Sequence, residues 1–165
     1  MDNESIFLTD EGFVFYNDGE INVLLEYVGH GATVLVLPDS FMNMPYTMVD
    51  KVFADFYVSG WDTMDMFDIE SWSVPICHSG SLVQTVVIPT CINQIPAYAF
   101  AGWGALEYVF YAGDADQWEG VELNVNIATE CNVELLDAKV AFYSESTPVT
   151  EDIFWHYVNG VPVLW

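Results

Sequence analysis

"SLVQTVVIPTCINQIPAYAFAGWGALEYVFYAG", residues 81–113, is the stretch whose reading decides the fold. Apolar runs at Val86–Ile88 and Tyr108–Tyr111 each stop at a breaker, Pro89 or Gly113, the signature of two short buried strands. Between them Ile95, Tyr98, Ala99 and Phe100 recur near helical spacing before Gly102 and Gly104 stop the run. That pattern predicts one irregular turn or short helix.

Charge marks the same stretch as core. Fourteen acids lie in residues 1–70, none in 71–106, and eleven in 107–152. Against these 25 acids stand only Lys51 and Lys139, so the formal net charge is −23. Almost no carboxylate has an internal cation to pair with, and their mutual repulsion opposes compaction. A hydrophobic share of 53% with 16% aromatics nevertheless exceeds what a disordered chain carries, so the protein is expected to fold. At 165 residues a single domain, 1–165, is the default.

Direct binding to nucleic acid is disfavoured, because lysine and arginine supply that affinity. An anionic membrane surface is disfavoured for the same reason, and prolines interrupt the longest charge-free run at 75, 89 and 96. The opening "MDNESIFLTDEG" has acids where a secretory signal needs a basic region and an apolar run. The expected location is therefore the cytoplasm of a bacterial host; a mature fragment would instead be secreted or held at the cell surface. Cys77, Cys91 and Cys131 are odd in number and widely spaced, which favours reduced thiols. No cofactor and no metal is expected: Cys77-His78 stands alone as a ligand-like pair, and no calcium-loop motif is present. Nucleophile-elbow, phosphate-loop and H-E-x-x-H motifs are absent too, so the chain is read as no enzyme and no catalytic residue is assigned.

Strand, turn, helical turn and strand within about 25 residues describe one coil of a leucine-rich solenoid. The run Leu82, Val86, Ile88, Pro89, Ile92, Ile95, Ala99, Phe100, Gly102, Leu106 and Val109 resembles the BspA-like leucine-rich repeat, with Trp103 in place of the usual cysteine. "YAGDADQW" (111–118) is similar to the segment that follows the last repeat in that family, and "FYSESTPVTEDIFWHYVNGVPVLW" (142–165) to its ending. The resemblance covers residues 82–118 and 142–165 and implies an α+β, β-rich fold: a short leucine-rich-repeat-like solenoid of one or two coils, with insertions and a β-structured C-terminal cap. Residues 1–53 read as an N-terminal β region with a degenerate coil, Leu37-Pro38 matching Ile88-Pro89 and Val52-Phe53 matching Ala99-Phe100. Residues 54–81 read as an acidic, aromatic insertion, 82–113 as the clear repeat, and 114–165 as an acidic loop and cap.

Two acidic clusters are the candidate partner-binding residues. Asp62, Asp65, Asp68 and Glu70 sit among Trp61, Phe67 and Trp72 in the insertion, and Asp114, Asp116, Glu119 and Glu122 flank Trp118. A solvated loop with packed aromatics explains either cluster; the near absence of lysine and arginine is what that reading leaves over. The expected partner is a basic protein. The first function class is an intracellular decoy, a nucleic-acid mimic occupying the basic groove of a nucleic-acid-binding protein or nuclease, as an anti-CRISPR or other anti-defence inhibitor does. The second follows from the resemblance: a bacterial surface or adhesion repeat protein that binds host or cell-surface proteins. The C-terminal "FWHYVNGVPVLW" is expected to act as a cap or as a homodimer face.

Overall fold

A computed structural model describes residues 5–29, 31–54 and 82–165. The strands are β1 (Ser5–Leu8), β2 (Phe13–Asn17), β3 (Asn22–Tyr27), β4 (Val34–Val36), β5 (Thr47–Met48), β6 (Thr85–Ile88), β7 (Gln94–Ile95), β8 (Tyr108–Tyr111), β9 (Glu122–Leu123), β10 (Lys139–Tyr143), β11 (Phe154–Val158) and β12 (Val161–Leu164). The helices are short: α1 (Ala115–Glu119), a 3-10 turn at Ile127–Thr129, and α2 (Glu134–Asp137). The fold is α+β and strand-rich, with curled sheets.

The first three strands form two antiparallel hairpins, and β5 adds in parallel to β3, giving the order β1-β2-β3-β5. Each hairpin turn carries a glycine with positive φ, Gly12 at +97° and Gly19 at +94°, a conformation that residues with side chains rarely adopt. Alternation turns Phe13, Phe15 and Leu24 inward, where Phe15 stacks on Phe41 at 4.2 Å. Two buried amides close the second hairpin: Asn17 Nδ2 donates to Asn22 Oδ1, and Asn22 Nδ2 to the Phe41 carbonyl, both at 2.6 Å.

The larger sheet has the order β4-β6-β8-β10-β11-β12. Its first five strands are parallel, and successive rows align: Val34, Thr85, Tyr108 and Lys139; Leu35, Val86, Val109 and Val140; Val36, Val87, Phe110 and Ala141. Leu35, Val86, Ile88, Val109 and Tyr111 face the main core. On the opposite face Val87, Phe110, Ala141 and Trp155 form a second, smaller cluster. Ala141 leaves room for Trp155 to lie on Phe110 at 5.3 Å, and the indole N–H donates to the Tyr111 carbonyl at 2.8 Å.

Two more sets of bonds tie the connections together. The short strands β7 and β9 pair in parallel, Gln94 with Glu122 and Ile95 with Leu123. On another side, Lys51 N–H donates to Ala97 O at 2.9 Å and Phe53 N–H to Ala99 O at 3.2 Å. Three residues here share left-handed backbone: Lys51 (φ 63°), Tyr98 (φ 55°) and Asn132 (φ 50°). Residues 97–102 form successive turns, the irregular alternative of the two that the spacing allowed. Side chains from the next connection accept every second N–H of these turns: Cys131 Sγ from Tyr98 (3.3 Å), Asn132 Oδ1 from Phe100 (3.0 Å) and Glu134 Oε1 from Gly102 (3.1 Å).

The C-terminal segment has the β-structure expected of it: β11 and β12 form a hairpin across Asn159-Gly160 (φ 52° and 79°), a twist-matched two-residue turn. Cys131 is a buried free thiol and Cys91 a half-buried one, while Cys77 lies outside the described residues. Among the described residues, no helix is long and apolar enough to cross a membrane.

Candidate interaction surface

The first acidic cluster, Asp62, Asp65, Asp68 and Glu70, lies outside the described residues, as does the expected insertion beyond Ala54. The second falls on three elements. Asp114 caps α1, accepting the Gln117 N–H at 2.9 Å while Gln117 Oε1 accepts the Asp114 N–H at 3.0 Å. Asp116 and Glu119 stand on α1, and Glu122 on β9 opposite Gln94. All four carboxylates are exposed. Trp118 packs on Tyr111 at 5.1 Å, so the expected polar loop with a packed tryptophan is in fact a one-turn helix anchored by that ring.

The other described acids sit in turns and loops, apart from Glu134 and Asp137 on α2 and Glu26 on β3. None of the six strands of the larger sheet carries a carboxylate; among the described strands only β3, with Glu26, and β9, with Glu122, do. A row of carboxylates two residues apart along a described strand, the simplest way to imitate a phosphate backbone, is therefore not present. Instead, several acids accept backbone N–H groups. Asp18 takes those of Glu20 and Ile21, both at 2.9 Å; Asp50 takes that of Ala97 at 3.1 Å. The first pair of bonds, with Ile21 the larger contributor, holds the Asp18 carboxyl below its ordinary range.

A rim of polar groups gathers where β4, β6 and β8 end. Burial, then the charge of Asp39, pushes the Cys91 thiol up. Tyr46, whose hydroxyl donates to the Pro38 carbonyl at 2.8 Å, is pushed up by burial, Cys91 and Asp39. Tyr111 is raised by burial, then by Asp114 and Cys91. Among the described residues, no group of three or more histidine, cysteine, aspartate or glutamate side chains is arranged to hold a metal ion.

Residue reading passed over Glu26. It pairs with Val14 across β2–β3, and Val14 pairs with Leu8. Phe13, Phe15, Leu24 and Tyr27 face the core, and the register shift at Val14/Phe15 leaves Leu25 without a partner, so that Glu26, Val14 and Leu8 share the opposite, outer face, with Ile6, Tyr16 and Val23 in the next row. Burial pushes the Glu26 carboxyl up. Alternation in "NVLLEY" alone puts Glu26 on the side of Leu24, so no signal in the sequence marked it; the bulge in the β2–β3 pairing turns it outward.

Comparison with protein-family models, with curated proteins and with solved structures finds no match to this chain.

Proposed function

We propose that the protein is a non-enzymatic binding module, a short solenoid of the BspA-like leucine-rich-repeat type whose acidic turns engage a basic protein. The solenoid reading is supported by the in-register rows of β4, β6, β8 and β10, by the β7–β9 pairing, and by the left-handed positions at Lys51, Tyr98 and Asn132. Rows that repeat on three sides of a connection are what stacked coils produce. The partner reading is carried by one observation: in a chain of net charge −23, the described acids stay out of the largest sheet and stand on turns, loops and short helices, apart from Glu26 and Glu122. Exposed turns project charge into solvent, where it steers a cationic partner and hastens encounter.

Among basic proteins, those that bind nucleic acid or cut it present the densest array of lysine and arginine, so a decoy acting in the cytoplasm of a bacterial host is the leading version. A surface-attachment module is the second, favoured by the repeat itself. Purified protein immobilised and presented with a bacterial lysate in 50 mM and then 500 mM NaCl tests the first. The expected result is retention at low salt of a protein that duplex DNA displaces in competition. Retention that DNA does not compete for, or that high salt leaves unchanged, sinks the decoy.

A further inference from the structure

The outer face of the β1–β3 sheet is apolar where an exposed sheet face is ordinarily polar. Ile6 and Leu8 are each 66% exposed, and Val14, Val23 and the Tyr16 ring between Ile6 and Val23 are half-buried beside them. Glu26, the lone carboxylate on β1–β3, stands in the row of Val14 and Leu8, with no cationic partner among the described residues. We infer that this face is a docking surface for an amphipathic, positively charged segment of another protein, its apolar side chains on Ile6, Leu8, Val14 and Val23 and a lysine or arginine on Glu26.

Charge decides the occupant. Covering the face with an uncharged apolar surface strands the Glu26 carboxylate in a dry contact, the costliest outcome for a charge. A second copy meeting the same patch brings a second Glu26 to the first, and the two lysines of each copy lie at positions 51 and 139, outside β1–β3. A basic segment alone satisfies both the apolar rows and the acid. This inference rests on the proposed engagement of a basic partner and gives it a place on the molecule distinct from the acidic turns.

The test uses the full chain, labelled at its methyl groups, titrated with a synthetic peptide of alternating valine and lysine and with its valine–glutamate counterpart. Expected are shifts confined to Ile6, Leu8, Val14 and Val23 with the lysine peptide, and none with the glutamate peptide. Glu26→Lys should weaken lysine-peptide binding at least tenfold and admit the glutamate peptide. Ile6→Ser with Leu8→Ser, on exposed side chains that the core does not need, should weaken binding while the circular-dichroism melt stays as in the parent. Shifts centred on Asp114–Glu122, or equal binding by Glu26→Lys, overturn this docking site yet leave the acidic turns as the site of engagement. Failure of both this titration and the lysate capture removes the basic partner altogether.

Discussion

With only two lysines in the chain, the commonest partner left to a carboxylate is a backbone N–H, and Asp18, Asp50, Asp114 and Glu134 each accept one or more. Asp18 and Glu26 then shift in opposite senses, and their neutral variants must respond oppositely to pH. Asp18 is held low, so its contribution is present above its ordinary value, about pH 4, and is lost as pH falls through the depressed folded value. Asp18→Asn should therefore melt below the parent at pH 7, with the gap closing in acid. Glu26 is raised by burial, so ionisation costs the folded state at neutral pH, and the parent recovers as pH falls through the raised value. Glu26→Gln should melt above the parent at pH 7 and converge with it below about pH 4; a melting series from pH 7 to pH 3 checks both. Asn132 offers a larger effect. Fully buried, it accepts from Phe100 and donates to the Pro96 and Asn124 carbonyls, each at 2.8 Å, from a left-handed backbone that asparagine tolerates. Asn132→Ala strands these groups and strains the backbone, a loss of about 3 kcal/mol, measurable by urea denaturation.

The strands of the larger sheet were legible in the sequence where an apolar run met a breaker. Val86–Ile88 and Tyr108–Tyr111 are β6 and β8 almost residue for residue, because Pro89 and Gly113 end them locally. What runs between them was less so: Tyr98 adopts a left-handed conformation that no aromatic favours on its own, imposed by bonds to residues 131 and 132, more than thirty positions away. The acidic loop hid a helix for a related reason, since the capping box of Asp114 and Gln117 starts α1 while the packing of Trp118 on Tyr111 makes five residues sufficient. Element edges carry their own chemistry. Trp165 N–H bonds to Phe154 O, so odd-numbered residues of β12 point at β11 and residue 162 points away. Pro162 thus removes an outward donor from the sheet's last strand, a known defence against edge pairing. Pro162→Val should raise self-association, read as a concentration-dependent sedimentation coefficient that the parent does not show.

Over the whole molecule, 25 carboxylates repel one another against only two lysines, so stability should climb with ionic strength. The screening length falls from about 30 Å at 0.01 M to about 3 Å at 1 M, and the melting temperature is expected to rise steadily across that range; a flat profile would mean that the charges are already too dispersed to matter. The total charge was plain from composition, but where it sits was not. Composition does not say that the described acids keep out of the larger sheet, and Glu26 stood out only once the pairing of β2 and β3 had assigned it a face. Five parallel strands followed by one that reverses at Asn159-Gly160 also set how the protein can be lengthened. Material grafted after β12 meets a strand of the wrong polarity, whereas an extra unit spliced between Tyr111 and Lys139 finds matching neighbours on both sides, so an engineer seeking a taller scaffold should open the molecule there.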